Sequence, residues 1–98
     1  MTASKRILIV DDDRDIRLGT HFRLRSAGYE TLLEENGQRG IDSAEQHHPD
    51  AIVMDIKMPE MDGVTALELL RESPSTCDIP VVIVSASPGE EARALQQG

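Results

Sequence analysis

The chain has 98 residues, the size of one domain and too short for two separate cores. Its composition, 39% apolar and 29% charged with no run of about 18 apolar residues, argues against both a membrane span and a disordered tail. Eighteen acidic residues against ten basic ones give a net charge of −8, which repels a phosphate backbone, and Phe22 and Tyr29 offer no stacking platform, so no nucleic acid is expected to bind this segment.

The first apolar run, Ile7 to Val10, is too short for the apolar centre of a secretory signal, and a cytoplasmic protein is expected. A lone Cys77 can form no internal disulfide. That run ends in Asp11-Asp12-Asp13, the form of a strand buried on both faces. Residues 14–27 then carry Ile16, Thr20, Leu24 and Ala27 at helical spacing, leaving Leu18 and Phe22 outward, and Gly28 stands where a helix-ending glycine belongs. Asp12 with Asp15 three residues on has the spacing of a helix cap. Tyr29 to Leu33 reads as a second strand nearer an edge, and Gln38 to His47 as an amphipathic helix with Ile41 and Ala44 inward.

Ala51 to Met54 is the third apolar run, closed by Asp55. After the turn residues Asp62-Gly63, the positions Val64, Leu67, Leu70 and Arg71 mark a third helix, which Ser73-Pro74 ends. Ile79 to Val84 reads as a fourth strand with Pro80 tolerated at its start, and Pro88 opens a fourth helix through about residue 97. Strand starts 22 to 28 residues apart, alternating with helices, predict an α/β fold with parallel strands and right-handed crossovers.

In open α/β sheets ligands sit beyond the carboxyl ends of the strands, so Asp11, Asp12, Asp55 and Ser85 are expected to converge. Carboxylates about 4 Å apart repel by roughly 4 kcal/mol at an effective dielectric near 20, which calls for a cation. Hard oxygen donors without His or Cys favour Mg²⁺ over zinc, and an Asp beside such an ion is a plausible nucleophile toward phosphorus. Taken singly, any of these acids also suits a cap or a turn; their joint placement carries the expectation.

The stretches Ile7-Leu8-Ile9-Val10-Asp11-Asp12-Asp13, Val53-Met54-Asp55-Ile56-Lys57-Met58-Pro59-Glu60-Met61-Asp62-Gly63 and Val81-Val82-Ile83-Val84-Ser85-Ala86 together resemble the receiver domain of bacterial two-component response regulators. The resemblance implies a flavodoxin-like, doubly wound parallel sheet of order 2-1-3-4. It implies Asp55 as acceptor of a phosphoryl group from a histidine kinase or phosphotransfer protein. Asp12 then matches a direct Mg²⁺ ligand, Asp11 one that acts through water, Lys57 the position whose main-chain carbonyl completes the metal shell, and Ser85 the hydroxyl that turns toward the phosphoryl oxygens.

Residues 1–98 read as one such domain without the family's fifth strand and helix, and no lysine follows Lys57 to supply the phosphate-binding cation. A phosphorylation-independent interaction domain is therefore the alternative. A haloacid-dehalogenase-like phosphohydrolase fits less well, because Lys57 stands where that family carries its second Asp. Kinase docking is expected near Leu18 and Phe22, with Arg14, Arg17, Arg23 and Arg25 steering an acidic partner. The wholly β-branched Val81 to Val84, left at an edge, predicts a homodimer through the fourth strand and helix.

Overall fold

The computed structural model describes residues 5–55 and 63–84. In chain order the elements are β1 (Arg6–Val10), α1 (Arg14–Ser26), β2 (Glu30–Glu34), α2 (Gly37–His47), β3 (Ala51–Asp55), α3 (Gly63–Glu72) and β4 (Val81–Val84). The four strands form one parallel sheet of order β2-β1-β3-β4. The predicted fourth helix, with Pro88, lies outside the described residues.

Alternation along the strands divides the apolar residues between two faces. Leu8, Val10, Ile52, Met54, Val81 and Ile83 point to one side, where Ile41 and Ala44 of α2 and Ala66, Leu67 and Leu70 of α3 pack on them. Leu8, Ile52, Met54 and Leu70 are fully buried there. Gly40 lets α2 lie close to β1: a Cβ at that position would stand 2.7 Å from Val10 Cγ2. The chain between α3 and β4 is stitched from within, since Thr76 Oγ1 donates to the Leu70 carbonyl at 2.7 Å and Arg71 donates to those of Cys77 and Ile79.

The opposite face carries α1, packed against β1 and β2. Asp13 caps it, its carboxylate accepting from the N–H groups of Asp15 and Ile16 at 2.9 and 3.1 Å. The cap is thus one residue later than the Asp12–Asp15 spacing suggests. At the other end Gly28, at φ +97°, and Tyr29 donate their N–H groups to the carbonyls of Arg25 and Leu24, closing the helix in a Schellman turn.

The predicted inward stripe of α1 is corrected. No residue of the helix is fully buried, Ile16 is 51% exposed, and the half-buried stripe runs through Arg17, Leu18, Thr20, His21 and Leu24. Leu18 therefore faces inward, whereas Phe22, 63% exposed, faces out as expected. The helix turns this way because its inward polar side chains meet polar partners. His21 Nδ1 and Thr31 Oγ1 share a hydrogen bond of 2.6 Å, and Arg17 reaches the Asp11 carbonyl.

Strand limits also move. β2 begins at Glu30 rather than Tyr29, because the Tyr29 N–H is spent on the end of α1. β4 begins at Val81, after Pro80, whose carbonyl accepts from Ile52.

Candidate functional site

Asp11 directly follows β1. Its N–H donates to the Glu34 carbonyl at 3.1 Å, continuing the ladder with β2, and its Oδ1 accepts from the Asp13 N–H at 2.9 Å. The residue is only 5% exposed. Asp12 is exposed beside it, and Asp55, half-buried, ends the adjacent central strand β3. The β1–β3 register sets Val10 against Met54, so both chains deliver their acids at the same level.

One carboxylate oxygen from each of Asp11, Asp12 and Asp55 lies within 4.8 Å of the others. Burial pushes the Asp11 carboxyl above the ordinary carboxylate range. The bond from the Asp13 N–H pulls it down, and the charges of Asp55, Asp12 and Asp13 add to the rise. Oxygens gathered this closely could share one octahedral divalent cation, directly or through an intervening water. All donors are hard oxygens, and the set fits Mg²⁺.

The three acids are brought together as the sequence predicts; Lys57 and Ser85 lie outside the described residues. Two groups went unrecognised in the sequence. The Glu34 carbonyl is a main-chain group with no sequence signature. Arg17, read from the sequence as a steering charge, donates from Nη1 to the Asp11 carbonyl at 2.7 Å. Cys77 is partly exposed and unpaired with any thiol.

A parallel 2-1-3-4 sheet with carboxylates at the ends of β1 and β3 defines the flavodoxin-like class of receivers. The family model of the response regulator receiver domain matches residues 7–98, and the chain belongs to that family. Among curated relatives, it is 41% identical over 83 residues to the transcriptional regulatory protein PrrA of Mycobacterium tuberculosis, covering 85% of this chain and 35% of that one. It is 36% identical over 100 residues to the polar-differentiation response regulator DivK of Brucella ovis, covering 97% of this chain and 79% of DivK. The chain thus spans about a third of PrrA and most of DivK.

Among solved structures, the receiver domain of sensor histidine kinase PA1611 from Pseudomonas aeruginosa superposes with a TM-score of 0.87 at 32% identity, over 98% of this chain and 80% of that one. That structure has a magnesium ion coordinated in its active site cleft. The N-terminal domain of a response regulator receiver protein from Methanoculleus marisnigri gives the same TM-score, 0.87, at 32% identity, over 96% of this chain and 78% of that one. Among the described residues no helix is long and apolar enough to cross a membrane.

Proposed function

We propose that this receiver domain takes a phosphoryl group from a histidine kinase or phosphotransfer protein onto Asp55. The P–N bond of a donor phosphohistidine protonated on its other ring nitrogen breaks as a bond forms between phosphorus and an Asp55 carboxylate oxygen. The electron pair stays on the released nitrogen, the other nitrogen keeps its proton, and a neutral imidazole leaves as the acyl phosphate forms. Asp12 and Asp55 hold Mg²⁺ directly, Asp11 holds it through water, and the main-chain carbonyl of Lys57 completes the set. Bound there, the ion offsets the negative charge that gathers on the carboxylates and on the incoming phosphoryl oxygens. Ser85 is assigned the hydroxyl that bonds the phosphoryl group and passes its presence on.

The observation that carries this reading is the approach of the Asp11, Asp12 and Asp55 oxygens to within 4.8 Å of one another. Such a repulsive grouping at the strand ends is relieved by a divalent cation and is suited to phosphoryl transfer. The donor protein docks on the outer face of α1 around exposed Phe22, Leu18 having turned inward, and a cytoplasmic location goes with it. β4, at the sheet edge among the described residues, is assigned to a homodimer.

Incubation with a small acyl-phosphate donor and Mg²⁺, followed by intact-mass measurement, tests the proposal. The expected product is the chain plus one phosphoryl group, lost on chelation of the metal before mixing. Rapid donor turnover without an adduct would indicate a hydrolase, and neither adduct nor turnover would indicate a binding module.

A further inference from the structure

We infer that Arg17 is a positioning residue for the divalent-cation site: from the first turns of α1 its guanidinium fixes the peptide plane that joins Asp11 to Asp12. The inference rests on the reading of the three carboxylates as a Mg²⁺ site. Arg17 Nη1 donates to the Asp11 carbonyl at 2.7 Å in a partly buried setting, a charge-assisted bond at the short end of the usual range. That carbonyl belongs to the planar Asp11–Asp12 peptide, so holding its oxygen sets ψ of Asp11 and φ of Asp12 together.

Neighbouring polar groups of the loop, on Asp11 and Asp13, are held from other directions. The Asp11 N–H bonds the Glu34 carbonyl, Asp11 Oδ1 bonds the Asp13 N–H, and the Asp13 carboxylate caps α1. Arg17 itself is anchored by its N–H on the Asp13 carbonyl at 2.9 Å. Asp12 is the exposed acid of the three, and the direction of its side chain depends on the peptide plane that Arg17 holds.

Position and charge predict opposite signs. A guanidinium acting only through its charge repels a dication, so its removal would tighten Mg²⁺ binding. A positioning role makes removal weaken it. Arg17→Met keeps the length of the stem without donor or charge, and Arg17→Lys keeps the charge and one compact donor.

The test is calorimetric Mg²⁺ titration of the wild-type chain, Arg17→Met, Arg17→Lys and an Asp12→Ala control, at a temperature where circular dichroism shows all four folded. The expected result is an affinity about tenfold weaker in Arg17→Met, the usual scale for a residue that orients metal ligands, with part of the loss recovered in Arg17→Lys. Unchanged or tighter binding in Arg17→Met overturns the inference. So does a lowered melting temperature with unchanged affinity, which marks a purely structural role. A wild-type chain that binds no Mg²⁺ overturns the site reading itself, whereas wild-type binding that is lost in Asp12→Ala upholds that reading whatever Arg17 does.

Discussion

Asp11 sits almost out of contact with water while two further acids stand beside it, and both circumstances raise its proton affinity in the folded state. Its folded pKa therefore lies above the unfolded value, so from about pH 4 up to the raised pKa the native state holds more protons than the unfolded chain. The metal-free protein should lose stability from that pH upward through the raised pKa, and then level off. Asp11→Asn keeps the oxygen that accepts from the Asp13 N–H and removes the charge. It should raise the melting temperature of the metal-free protein at neutral pH and flatten this part of the pH profile, as thermal scans from pH 4 to 8 in chelator would read. Gly40 gives a second expectation. Alanine there gains about 1 kcal/mol of helix propensity, but its Cβ meets Val10 Cγ2 at 2.7 Å and Cγ1 at 3.1 Å, and a stiff valine cannot swing aside. Overpacking costs about 1–3 kcal/mol, so Gly40→Ala should be destabilising by about 1 kcal/mol in urea unfolding.

At the scale of the element, α1 does two jobs with different faces. Its N-terminus closes the acidic loop through the Asp13 cap, whose two hydrogen bonds should make Asp13→Ala less stable by about 1 kcal/mol in denaturant melts. Its outer face leaves Phe22 exposed, so Phe22→Ala should change stability by no more than about 0.5 kcal/mol while slowing phosphoryl transfer from the cognate kinase. Unaltered transfer kinetics in that variant would remove Phe22 from the docking surface. This helix is also where the sequence was least readable. Its limits and its terminal Gly28 were legible because a glycine with positive φ and an acid run leave local marks. Its rotation was not, because Arg17 and His21 turn inward toward the Asp11 carbonyl and Thr31 Oγ1, partners that hydrophobic periodicity does not register.

At the scale of the molecule, the parallel strands and the meeting of Asp11, Asp12 and Asp55 were legible, because buried parallel strands read as aliphatic runs and each acid follows its run directly, whereas the order 2-1-3-4 came from the family resemblance. The strand edges were less so: Tyr29 belongs to the end of α1 and Ile79 to the turn before β4, both decided by hydrogen bonds of the main chain. Among the described residues β4 stands at the edge, with Val82 50% and Val84 39% exposed on the same side of the sheet as α1. An uncharged, β-branched edge is a template for another strand, so the 98-residue chain should sediment as a dimer or larger species at tens of micromolar. A clean monomer with rapid amide exchange along β4 would contradict this.

The central claim is that Asp55 accepts the phosphoryl group, and the most direct measurement locates the adduct chemically. Borohydride reduction of the chain after treatment with an acyl-phosphate donor and Mg²⁺, followed by peptide mapping, should place the reduced residue at Asp55 alone. Asp55→Asn should yield no reduced residue. A reduced residue at any other acid, or none in the wild-type chain, would contradict the account.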